Sequence, residues 1–167
     1  DIKNKGYSSK RFDKLFPSCK YSKLKKSFFE SSNFSEKIKS LNNSENLSFN
    51  GEIFSDESLA SILLEDCFYK IFFSVYGVIP RLAYCQKCIS KPINKTKIGS
   101  QCWHKDNEDE TILKIFIYFN DVKISNGPFE FIPESSKSPD ALRGDQLKTN
   151  KKLNRQLKHK ITFCVEE

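Results

Sequence analysis

From Arg81 onward the spacing of apolar residues changes from helical to strand-like, and that switch sets the fold class. Before it, Leu59, Ile62, Leu63, Cys67, Ile71 and Phe72 form the stripe of an amphipathic helix. Ser55 or Asp56 can cap this helix, Glu57 suits its N-terminal dipole, and Gly77 stops it, so the spacing predicts a helix over 56–76. After the switch come short apolar runs divided by Pro, Gly and Asn clusters. They predict strands over 81–88, 99–105, 111–120, 129–133 and 159–166. Helices followed by strands make an α+β chain, with a β-sandwich or jelly roll as its body and the helix packed on one face of a sheet.

The first fifty residues form a polar segment with short helices. One of these is expected around Phe34, Ile38 and Leu41, with Ser35 as its N-cap. Residues 51–167 are expected to form the main domain. At 167 residues there is enough chain for a real core, and no apolar run approaches the ~20 residues of a membrane span. The opening Asp1-Ile2-Lys3-Asn4-Lys5 carries no signal core, so a cytoplasmic location is expected. There is no methionine, position 1 included, and the chain stops as its last apolar run ends. Both observations lead us to expect a piece of a longer protein that lacks its last strands.

Net charge is +7, most of it on lysines within 3–39 and 137–160. Such charge invites a nucleic-acid reading, but no recognised nucleic-acid motif accompanies it. A solvated lysine surface is the preferred expectation. Six cysteines (Cys19, Cys67, Cys85, Cys88, Cys102, Cys164) come without a signal peptide, which favours reduced thiols. Cys85-Gln86-Lys87-Cys88 has zinc or redox spacing. No second such pair exists, and the preceding residues read as a strand, so structural thiols are expected.

His104 and Asp106 lie two apart in Trp103-His104-Lys105-Asp106. On a strand both side chains point to one face, where an imidazole and a carboxylate can share a metal ion. The pair is two-thirds of the facial triad of non-haem iron oxygenases. An acidic loop follows, Asn107-Glu108-Asp109-Glu110. Then comes a run expected to be buried on both faces (Ile112, Leu113, Ile115, Phe116, Ile117), and a turn at Asn120-Asp121. On that run Lys114, Phe116 and Tyr118 share one parity. The rival reading makes His104 a hydrogen-bonded residue of a sandwich, with Asp106 opening a turn.

Four motifs stand in order: Trp103-His104-Lys105-Asp106, Tyr118-Phe119-Asn120-Asp121-Val122, Asn126-Gly127-Pro128-Phe129 and Ile132-Pro133-Glu134-Ser135-Ser136. Over roughly residues 80–137 this block resembles the phytanoyl-CoA dioxygenase family of iron(II)- and 2-oxoglutarate-dependent oxygenases. The resemblance implies a double-stranded β-helix, a cupin-like jelly roll with N-terminal helices packed on the barrel. His104 and Asp106 would be ligands to Fe(II), with 2-oxoglutarate as co-substrate and O2 as oxidant. The product would be a hydroxylated small or conjugated metabolite, with succinate and carbon dioxide released. Tyr118 matches a position close to the co-substrate, Lys114 is a candidate carboxylate partner, and Gln86 is a candidate pocket residue.

The chain also departs from the family pattern. A second histidine and a later arginine for the co-substrate are required. His159 is the only histidine after Asp106, and no arginine follows it, the last being Arg155. We therefore expect the third ligand to lie beyond residue 167, leaving these residues alone with weak iron affinity and no turnover. Glu134 and Ser136 replace the family's Gly and His, which alters a loop. A catalytically inactive cupin-like binding domain is the alternative function, and a basic nucleic-acid binder a more distant one.

Overall fold

The computed structural model describes residues 2–30, 46–50, 57–79, 81–83, 85–90, 103–104, 112–133 and 157–165, with the side chains of 46–50, 57–59, 86, 87 and 90 left aside. Contacts group the chain into two compact units, Ser9–Lys91 and Asp1–Ser8 with Pro92–Glu167. The domain boundary expected near residue 50 falls inside the first of these.

The Ser9–Lys91 unit is mainly helical. It contains α2 (Phe12–Leu15), α3 (Tyr21–Glu30), α4 (Glu57–Leu63) and α5 (Asp66–Tyr76), after α1 (Ile2–Lys5) of the other unit. In α3, Leu24 and Phe28 are four apart and both buried, so this helix is held by its apolar stripe. Phe16, just past α2, is 1% exposed and lies with Leu24, Phe28 and Ile62 among the buried apolar residues of this unit. The ring of Phe16 faces Phe12 at 5.1 Å and Phe68 of α5 at 6.5 Å. An antiparallel pair of β1 (Asn46–Asn50) and β2 (Gln86–Ser90), strands separated in sequence by α4 and α5, completes the unit, with Ser48 opposite Cys88.

The single helix expected over 56–76 is two helices. Glu65 is extended (φ −69°, ψ 133°), and its amide bonds to the Ile62 carbonyl at 3.2 Å, an i to i−3 closure. That tight last turn ends α4, and the extended Glu65 then starts α5 afresh as its N-cap. A continuous apolar stripe cannot reveal such a break, because both halves satisfy the same period. Gly77 ends α5 as expected. It is left-handed at φ 74°, and its N–H donates to the Phe73 carbonyl at 2.8 Å.

The other unit holds β3 (Glu130–Phe131) and β4 (Ile161–Thr162), antiparallel, with Phe131 opposite Ile161. An isolated bridge pairs Val122 with Val165 through bonds of 2.8 and 3.0 Å. Val122 and Ile132 are buried. Tyr7 reaches this unit's aromatic cluster, 6.0 Å from Phe131 and 5.4 Å from Phe163, while Phe129 stands 6.0 Å from Phe163. Glu130 accepts from Lys160 Nζ and from Thr162 Oγ1, tying the two strands through their side chains.

Several expected strands are shorter than their apolar runs. Regular strand covers 130–131 of 129–133 and 161–162 of 159–166, with Val165 held only by its isolated bridge, and His159 closes a 3₁₀ turn (Leu157–His159) instead of opening a strand. Residues 112–118 belong to no assigned strand, and Ile112, Ile115 and Phe116 are 36%, 37% and 54% exposed. The expectation of burial on both faces is therefore not met there, because an apolar run is covered only where paired strands and a second layer enclose it. Both sheets among the described residues are two-stranded. The expected strand 99–105 lies largely outside the described residues, and the expected helix around Phe34, Ile38 and Leu41 entirely so. Among the described residues no helix is long and apolar enough to cross a membrane.

Candidate functional site

Of the two expected iron ligands, His104 is described, exposed and outside any regular element, whereas Asp106 lies outside the described residues. Lys114 and Tyr118 are both partly buried on segment 112–118, which belongs to no regular element. Burial pushes the Tyr118 phenol above its ordinary value, so its proton is retained through neutral pH and beyond. Gln86 opens β2 in the Ser9–Lys91 unit, and its side chain is not described. Among the described residues no three His, Cys, Asp or Glu side chains come together to hold a metal ion.

The turn that follows is well defined. Ile124–Asn126 form a 3₁₀ turn in which Asn126 Oδ1 accepts from the Lys123 amide at 2.8 Å. The Asn126 amide bonds back to the Lys123 carbonyl at 2.9 Å. Gly127 is left-handed (φ 72°, ψ 61°), a conformation that side chains resist. Asn126 and Gly127 thus each have a local reason to stand where they do. The result is to lead Phe129 into contact with Phe116 at 4.9 Å and to start β3.

A second constellation was not foreseen from the sequence. In the Ser9–Lys91 unit, an open cleft of about 630 Å³ is lined by Cys19, Ser61, Glu65, Cys67 and Lys70 among others. The Cys19 thiol donates to Glu65 Oε1 at 3.4 Å and lies 3.5 Å from Ser61 Oγ. With its single proton directed at Glu65, the sulfur accepts from the Ser61 hydroxyl. Cys67 donates to the Leu15 carbonyl. Burial raises the affinity of both thiols for their protons, and the negative charge of Glu65 adds to the effect. Cys67 stands in the first turn of α5 with Lys70 nearby, and both favour the thiolate, but burial and the charge of Glu65 outweigh them and the net effect is to hold the proton. The cluster therefore ties the loop before α3 to the α4–α5 break and does not activate a nucleophile. Contacts spanning 42 and 46 residues leave no spacing signal, which is why no motif announced them.

The described cysteines, Cys19, Cys67, Cys85, Cys88 and Cys164, form no disulfide with one another. Comparison of the chain with protein-family models, with curated proteins and with solved structures gives no match.

Proposed function

We propose that this chain carries the metal-binding strand and adjoining turns of an iron(II)- and 2-oxoglutarate-dependent oxygenase that hydroxylates a small or conjugated metabolite. The observation that carries the reading is the order of four motifs, from Trp103-His104-Lys105-Asp106 to Ile132-Pro133-Glu134-Ser135-Ser136. The Asn126-Gly127-Pro128-Phe129 motif supports it, because Asn126 closes the turn by its side chain and Gly127 takes the left-handed conformation that the turn requires. An imidazole and a carboxylate two residues apart also fit the donor chemistry of a non-haem iron site. Gln86 belongs to the helical unit, and the reading rests on residues of the other unit alone.

His104 and Asp106 would hold the metal, which when bound with 2-oxoglutarate supplies the means of inserting oxygen from O2 into a C–H bond. The chain's other residues contribute binding. A partly buried lysine such as Lys114 offers a charge-assisted hydrogen bond to a carboxylate, and the protonated phenol of Tyr118 offers a second donor.

The test uses the protein with whatever its gene encodes beyond Glu167, supplied with iron(II), 2-oxoglutarate and oxygen. Succinate should form, and His104→Ala or Asp106→Ala should each lower its rate by at least about 100-fold. Turnover that survives both substitutions would sink the metal assignment. Iron binding without any succinate would leave a cupin-like binding domain.

A further inference from the structure

Charge is distributed very unevenly along this chain. Residues 10–30 carry seven cations (Lys10, Arg11, Lys14, Lys20, Lys23, Lys25, Lys26) against two acids (Asp13, Glu30), a surplus of five. The other 146 residues together supply only the remaining +2 of the net +7. Sequence alone reads these lysines as a scattered solvated surface. The structure places Lys14 on α2, Lys23, Lys25 and Lys26 on α3, and Lys10, Arg11 and Lys20 in the chain flanking and joining the two helices.

Aromatic rings fasten the two helices to each other. The ring of Phe12 in α2 stands 5.1 Å from Phe16 and 5.4 Å from Tyr21 at the start of α3. Leu24 and Phe28 are buried, which fixes the inward side of α3, and Phe16 is buried just after α2. Lys10, Arg11, Lys14, Lys20, Lys23 and Lys26 are all exposed. Arg11 is braced by Asp13 at 3.1 Å and Lys26 by Glu30 at 3.8 Å. Among these cations Phe29 leaves 43% of its surface in solvent.

We propose that α2, α3 and the loop joining them form a docking surface for a nucleic-acid backbone, a role that does not rest on the oxygenase reading. Clustered cations that displace counterions from phosphates give sequence-independent binding. An exposed aromatic ring beside them suits stacking on an unpaired base, so single strands are the favoured partner. An anionic membrane is the weaker fit, because a helix that lies in a lipid interface must insert its apolar face. The apolar face of α3 is already used, with Leu24 and Phe28 buried in the fold.

The experiment is fluorescence anisotropy of a labelled single-stranded oligonucleotide with the whole chain, over a salt series. Replacing Lys14→Gln, Lys20→Gln and Lys23→Gln together should weaken binding at least fivefold and make the slope of log K against log salt shallower by about 2. Phe29→Ala should weaken it by roughly fivefold at unchanged slope. A matched loss of three charges elsewhere, Lys3→Gln, Lys5→Gln and Lys158→Gln, should have less than half the effect of the first triple. Helical circular dichroism equal to the parent's shows that the variants still fold. Equal losses in the two triples would overturn the proposal in favour of overall charge. So would the absence of binding at about 0.1 M salt, or binding to anionic phospholipid vesicles but not to the oligonucleotide.

Discussion

Cys19 and Cys67 show how a side chain's surroundings override its nominal chemistry. Each is partly buried, each bonds to an oxygen, and each holds its proton more tightly than a thiol in water. Alkylation requires the thiolate, so both should lag behind Cys88 and Cys164, which are exposed. With iodoacetamide at about pH 8, near the ordinary cysteine value, Cys88 and Cys164 should react roughly tenfold faster than Cys19 and Cys67. A mass-spectrometric time course of each cysteine peptide checks this. Raising the pH should narrow the gap, since the elevated proton affinities are then overcome. Equal rates for all four would mean that the Ser61–Cys19–Glu65 contacts do not persist in solution. The residue types were legible in the sequence, but not the cluster. A hydrogen bond between residues 46 apart is a product of helix packing and leaves no trace in local spacing.

At the scale of elements, the parts governed by local rules were the most legible. Gly77 was expected to stop a helix and does so in the left-handed conformation. A Cβ at that position would meet nothing within 4 Å, so Gly77→Ala should cost only the backbone strain, about 1 kcal/mol, read from chemical denaturation. Phe16→Ala acts through packing. Phe16 is 1% exposed and touches rings of both α2 and α5, so its truncation should cost about 3–5 kcal/mol in the same measurement. A loss below about 1 kcal/mol would show that the helical unit is not organised around this ring. Less legible were features decided by tertiary context. The break at Glu65 interrupts a stripe that a single helix would also satisfy. The run from Ile112 to Ile117 has strand-like composition, yet it leaves Ile115 and Phe116 well exposed. Apolar composition says that a segment seeks cover, and only its neighbours decide whether cover is found.

At the scale of the whole molecule, the described α-helices precede residue 77, while β1 at Asn46–Asn50 pairs across α4 and α5 with β2, a long-range pairing that the switch in periodicity at Arg81 does not announce. Half of the expected iron pair, His104, is described and exposed, and its partner Asp106 lies outside the described residues, so the motif order carries the functional proposal. Charge is the whole-chain property with the most direct physical consequence. The chain carries +7 at pH 7 and has an isoelectric point near 9.0, so it repels copies of itself at neutral pH. Alkalinisation removes that repulsion, and a surface bearing exposed Leu64, Phe73, Val78, Ile79 and Ile124 is then free to associate. Solubility should therefore pass through a minimum near pH 9.0 and rise on acidification toward neutrality. Turbidity across a pH series checks this, and adding salt at neutral pH should also increase association by screening the same charges. A minimum near neutral pH would show that apolar contact dominates even against full charge repulsion. Replacing Lys14, Lys20 and Lys23 by Gln lowers the net charge to +4, so it should shift the minimum toward neutral pH. This shift should match that of the Lys3, Lys5 and Lys158 triple, because self-repulsion depends on total charge, whereas polyanion docking depends on where the charge is placed.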